Sequence, residues 1–273
     1  MKKVLSGLLF LLCFSVIQTQ AQSYGVATPN TNPVGWGMNN LFYSNRVFQG
    51  MISNSTMRKG AKNTNRRNPV KTETTKSPTD YTSFKASTDS LLVKQITAKI
   101  SGDKNQVEGI LNSFVSLYRQ TAQKDGFPSN DLAYAFEYFV VNNYQLYHDL
   151  ISVPPEKDPR AKRAKDGFER ITILNEKKLL QVSMFQERAI YNQFREVLAA
   201  NAEIQKMTDA QKQEASELLA IMFGVNFTGY MKGINDGDEQ LTEQARQLAK
   251  EGLEKLLGGS ISQIKITNNG LEL

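Results

Sequence analysis

The chain has 273 residues, 40% hydrophobic and 22% charged, the balance of a globular protein with one ordinary domain or two small ones. Its only cysteine is Cys13 and its only histidine is His148, which excludes a Cys/His zinc centre, a Cys–His dyad and a disulfide framework, so no metal site and no cofactor is expected. The formal charge of +6 divides into +2 from Lys2 and Lys3, +6 from residues 22–80 and −2 from residues 81–273; the basicity belongs to the flanks, and no specific nucleic-acid binding is expected of the domain.

Residues 1–21 read as a secretory signal peptide. Lys2 and Lys3 form the charged start, Val4 to Ile17 the apolar core, and Thr19-Gln20-Ala21 a small-residue cleavage site. The apolar run is too short for a membrane anchor. Cys13 lies inside that run behind Leu12, where a bacterial lipobox needs Gly, Ala or Ser. The expected mature chain is therefore free of cysteine, has no transmembrane span and is exported by the general secretory route to the periplasm or the cell exterior.

Residues 22–80 form a basic low-complexity leader rich in Asn, Thr, Gly, Ser and Pro, with Arg58, Lys59, Lys62, Arg66 and Arg67 in one block. Such a segment buries too little apolar surface to offset its ordering entropy and is expected to be mostly disordered. The stretch from Trp36 to Ile52 is the exception: Trp36, Leu41, Phe42, Val47 and Phe48 stand partly at helical spacing, which makes Trp36 a candidate contact to the domain or to a partner.

From Tyr81 the period becomes 3.6, and residues 81–273 are expected to form a single all-α, bundle-like domain. Helices are predicted over Thr88–Ile100 and Asp103–Lys124, the second with its stripe at Val107, Ile110, Leu111, Phe114, Val115 and Tyr118. Another begins at Ser129 as N-cap and runs to about Leu150, with Leu132, Phe136, Phe139, Val140, Leu146 and Tyr147 on one side. Pro154, Pro155 and Pro159 force a loop. Residues 160–180 are open between helix and strand, because Ile171-Thr172-Ile173-Leu174 is rich in β-branched residues. Helices follow over Val182–Ala202, from Thr208 to Ile234, and from Asp236 or Asp238 to Gly258-Gly259. The tail from Ile261 contains Asn269-Gly270 and suits a short strand or hairpin. No repeat points to a solenoid.

Catalytic motifs are absent from this sequence. His148, near a helix C-terminus where the macrodipole favours a cation, is the nearest candidate for acid–base work; Asp149 and Glu137 lie within one helix of it. Glu137, between Phe136 and Tyr138, is the best placed acid for a carboxylate-dependent glycan-cleaving enzyme. Asn143 falls on an apolar face beside Tyr144; it is either a hydrogen-bonded core amide or a polar group contacting a ligand. Leu218–Ile234, apolar nearly all round, is the central helix of the bundle, the lining of a hydrophobic-ligand cavity, or a membrane-active segment. Asp236-Gly237-Asp238-Glu239 fails the EF-hand template, since Leu241 stands where Gly is needed, and reads as an N-cap. Asn143, Tyr144, His148 and Trp36 are thus the ligand or partner candidates; no catalytic residue is assigned.

A signal, a long leader, Ser-Asn-Asp-Leu-Ala-Tyr-Ala-Phe at 129–136, Asn142-Asn143-Tyr144, Asp209-Ala210-Gln211-Lys212-Gln213 and a terminal Ile264-Lys265-Ile266-Thr267 together resemble an uncharacterised family of secreted bacterial all-helical domains, a domain of unknown function. The resemblance implies an exported helical domain and supplies no activity. The expectation is a non-enzymatic envelope or secreted domain that binds an envelope protein or an amphiphilic ligand. The alternatives are a hydrophobic-ligand carrier and the glycan-cleaving enzyme.

Overall fold

The computed structural model describes residues 81–99 and 103–273. The signal peptide, the leader and the predicted docking stretch with Trp36 lie outside these residues. Eight helices are named here in chain order: α1 Leu91–Lys99, α2 Lys104–Asp125, α3 Leu132–Tyr147, α4 Gly167–Leu180, α5 Met184–Ala199, α6 Ala202–Lys206, α7 Asp209–Asp236 and α8 Glu239–Leu257. A hairpin of β1 Lys265–Thr267 and β2 Gly270–Glu272 follows.

Most helix starts follow from side chains that accept an otherwise unpaired backbone N–H. Asp103 caps α2 and Asp238 caps α8. Thr208 caps α7 in a reciprocal box with Gln211, and Ser183 does the same for α5 with Gln186. Gly126, Gly237 and Gly258 end α2, α7 and α8 in the left-handed conformation. The cap of α3 is Asp131 and not the predicted Ser129. Its carboxylate accepts from the Ala133 N–H at 2.8 Å, and also from the hydroxyls of Thr82 at 3.1 Å and Tyr191 at 3.0 Å. Three cap-forming residues stand in a row at 129–131, and these long-range bonds select the last; the Ser129 carbonyl accepts instead from the Tyr118 hydroxyl at 3.0 Å.

α7 is the centre of the core, buried around nearly its whole circumference from Lys212 to Ile234, and α3 and α8 lie against it. α1 and α2 cover another side of α7, and α5 packs on α3. α3 is also enclosed on more than the one predicted face: Ala133, Tyr134, Ala135, Tyr138 and Val141 are buried together with Leu132, Phe136, Phe139 and Val140. Close approach is built in at two glycines. A Cβ at Gly224 would stand 2.3 Å from the Phe114 ring, and one at Gly233 would stand 2.6 Å from the Thr242 backbone nitrogen, so any side chain there would push α2 or α8 away. Among the described residues no helix is long and apolar enough to cross a membrane.

The hairpin is antiparallel with Ile266 opposite Leu271 and Thr267 opposite Gly270. Its turn residues are Asn268 and Asn269, and Gly270, with φ +110°, is the first residue of β2. Gln193 of α5 docks it: the side-chain amide donates to the Leu271 carbonyl at 2.9 Å and accepts from the Leu271 N–H at 2.7 Å.

Candidate functional site

Of the predicted site residues, Asn143, Tyr144 and His148 lie at the C-terminal end of α3, while Trp36 falls outside the described residues. Asn143 is fully buried; its amide donates to the Phe139 carbonyl at 2.8 Å, and its oxygen accepts from the Asn226 amide of α7 at 2.8 Å. Tyr144 is half-buried and His148 exposed, with their ring centroids 4.4 Å apart, and the Tyr147 ring meets the imidazole edge-on at 4.9 Å. Partial burial and then the nearby Arg160 charge hold the His148 imidazole below its ordinary pKa, against the pull of Asp149.

The organising residue of this corner is Asp149. It is 4% exposed and is the one non-glycine residue with positive φ, +54°, among the described residues. One carboxylate oxygen accepts from the Tyr230 hydroxyl of α7 at 3.0 Å. The other accepts from Arg246 of α8 at 2.6 Å and from Arg163 at 3.2 Å. An acid at the negative end of a helix is unfavourable unless cations meet it; that mismatch plays no part in the sequence reading, and the junction emerges only from the structure.

Glu137 is buried at 3% exposure. Burial first, then the charges of Glu187 and Asp125, raise its carboxyl well above the ordinary range, and Glu187 itself is pushed up to about 7 by burial and by Asp125. Both shifts favour the protonated form of Glu137 and Glu187 more than an ordinary carboxyl does. No group of His, Asp and Glu suited to holding a metal ion occurs among the described residues.

The largest departure from an ordinary surface is α4. The segment with the open reading contains a 3-10 turn at Ala161–Arg163 and then a helix, started by the Asp166 carboxylate accepting from the Glu169 N–H at 2.8 Å. The inward side of α4 carries Lys177, 4% exposed, which pairs with the buried carboxylate of Asp158 and donates to the Ile151 carbonyl at 2.6 Å. Asp158 also accepts from the N–H groups of Arg160 at 2.9 Å and Ala161 at 3.1 Å. Just past the helix, the Gln181 amide donates to the Leu150 carbonyl at 2.8 Å. The outward side carries Phe168 at 82%, Ile171 at 61% and Leu179 at 86% exposure, at helical spacing, with Thr172 and Asn175 between them. Leu180 at the end of α4 and Met184 and Phe185 in the first turn of α5 are also exposed. Ile173 and Leu174 are half-buried beside Lys177, so α4 carries apolar side chains on its outer as well as its inner side.

The model of a family of unknown function, DUF6683, matches residues 2–163 and 181–273. The chain belongs to this family. No curated protein and no solved structure matches it. The match passes over residues 164–180, and that interval contains the whole of α4, so the helix with the exposed apolar face is the part of this chain that the family model leaves unmatched.

Proposed function

We propose that the chain is an exported, non-enzymatic binding module that works in the bacterial envelope or outside the cell. Residues 1–21 serve as its signal peptide, residues 22–80 as a tether, and the face of α4 and the start of α5 as its contact surface. The observation that carries this reading is the exposure of Phe168, Ile171, Leu179, Leu180, Met184 and Phe185 in one stretch of chain. Contiguous apolar surface of this kind in a folded domain marks an interaction site. Leaving it in water is unfavourable by about 25 cal/mol per Å2 of apolar area, which a partner recovers.

The sequence supports the same class of function: a single histidine, no cysteine after residue 21 and no catalytic motif. The test is made in the cell. The full chain and a Phe168→Ser/Leu179→Ser variant are expressed at native level, and the fraction of each in a larger assembly is read by sedimentation of gently lysed cells. The wild type is expected to sediment with an assembly and the variant to remain free, with equal helix content by circular dichroism. Equal sedimentation of the two would refute this surface as the contact. A phosphatase reporter fused after Ala21 checks export and should be active only outside the cytoplasm.

A further inference from the structure

The apolar face of α4 is set in positive charge. Residues 156–180 hold eight Lys or Arg against five Asp or Glu, whereas residues 81–273 as a whole sum to −2. Of the five acids only Asp158 is buried; Glu169 is half-buried and Glu156, Asp166 and Glu176 are exposed, so the stretch keeps a net charge of +3. Asp158 is buried against Lys177, Asp166 caps α4, and the Glu169 carboxylate accepts from the Lys165 N–H at 2.7 Å. Lys162, Lys165, Arg170 and Lys178 make no ion pair among the described residues.

A second copy of the chain suits this face less well, because a two-fold contact would bring together two stretches that each carry a net charge of +3. A water-facing partner without charge would leave the cations unused. An anionic lipid surface satisfies both halves: acyl chains take the Phe, Ile and Leu side chains, and headgroup phosphates take the Lys and Arg around them. The leader adds +6 over residues 22–80, a second signal that strengthens attachment of a single apolar patch to an anionic surface.

We infer that α4 and the first turn of α5 form a membrane-surface docking site, with α4 lying in the plane of an anionic lipid leaflet through Phe168, Ile171 and Leu179 while Lys177 holds the helix to the domain. This inference rests on the reading of that face as the contact surface and names its occupant.

The test uses the chain from residue 22 onward with vesicles of phosphatidylcholine alone and of equal parts phosphatidylcholine and phosphatidylglycerol. The expected result is cosedimentation with the anionic vesicles, weaker by about ten-fold or more on the neutral ones, and reduced by salt. Phe168→Ser/Leu179→Ser keeps every charge and is expected to lower anionic-vesicle binding about ten-fold. Lys162→Gln/Lys178→Gln is expected to lower it several-fold and to flatten its salt dependence. Binding that is unchanged by Phe168→Ser/Leu179→Ser assigns attachment to the basic leader and overturns the inference, as does absence of binding to either vesicle. If the vesicles fail while the same variant still leaves its assembly in cells, the contact surface stands and its occupant is a protein. If both fail, the surface itself is wrong.

Discussion

Lys177 and Leu179 stand two residues apart on α4 and meet opposite fates: the ammonium is buried against Asp158, and the leucine is 86% exposed. The helix is held to the domain by a charge and offers its hydrocarbon to the outside. Removing one member of a buried ion pair leaves the other without compensation, at about 3–5 kcal/mol. Lys177→Met is therefore expected to release α4 from its seat. Hydrogen exchange followed by mass spectrometry should show faster exchange over residues 167–180 with little change in α3 and α7. Adding Asp158→Asn should restore part of the protection, because no unpaired charge is then left inside.

The buried amides of Asn143 and Asn226 join α3 to α7. Asn143→Leu leaves the Asn226 amide without its acceptor in a closed core and should cost about 1–3 kcal/mol in urea unfolding. The double variant Asn143→Leu/Asn226→Leu should cost less than the two single changes added together, since both polar groups are gone. Strict additivity would mean that the pair is not coupled.

Asp149 combines a buried carboxylate with a left-handed backbone. Asn tolerates that conformation and keeps a hydrogen-bonding oxygen, whereas Ala does neither. Asp149→Asn should destabilise by about 1–3 kcal/mol. Asp149→Ala should be worse by about a further 1 kcal/mol or more, with Arg246 and Tyr230 losing their shared acceptor. Equal unfolding midpoints for the two variants would contradict the part assigned to the backbone conformation.

Glu187 titrates near 7 in the folded protein because of burial and Asp125, against an ordinary 4.5. Between those values the folded state holds a proton that the unfolded state has released, so stability falls as pH rises from about 4.5 to about 7 and is flat above. For this partly exposed group the contribution is about 1–2 kcal/mol after allowing for solvent screening. Glu187→Gln should flatten that part of the stability profile. Glu137, raised in the same direction by deeper burial, predicts that Glu137→Gln stabilises the protein at pH 7. A glycan-cleaving enzyme using this acid would instead show turnover that the same change abolishes.

Local chemistry made much of the helical order readable. Asp103, Thr208 and Asp238 each cap a helix through bonds spanning three residues, and such bonds are properties of a short stretch of chain. Ser129 has the local pattern of a cap, but Asp131 draws its advantage from Thr82 and Tyr191, 49 and 60 residues away. Ile171 to Leu174 left the sequence ambiguous because β-branched residues suit both periods; the Asp166 cap and the seat of Lys177 decide for helix. Periodicity placed no face of α4, and it can only say which residues share one. Which face turns inward depends on Asp158, 19 residues away, and on the carbonyl of Ile151. Asn143 and His148 drew notice as unusual residues, whereas Asp149, which joins Tyr230, Arg163 and Arg246, looked like an ordinary acid beside them.

The amide of Gln193 occupies the outward N–H and carbonyl of Leu271, the middle residue of the three-residue strand β2. A strand edge is recruited by other chains through such free pairs. Here a single side chain stands in for one residue of a third strand, so the C-terminal hairpin offers that edge to no intruder. For a protein read as passing unfolded through a membrane and refolding among crowded neighbours, this closes one route by which identical chains would stick together.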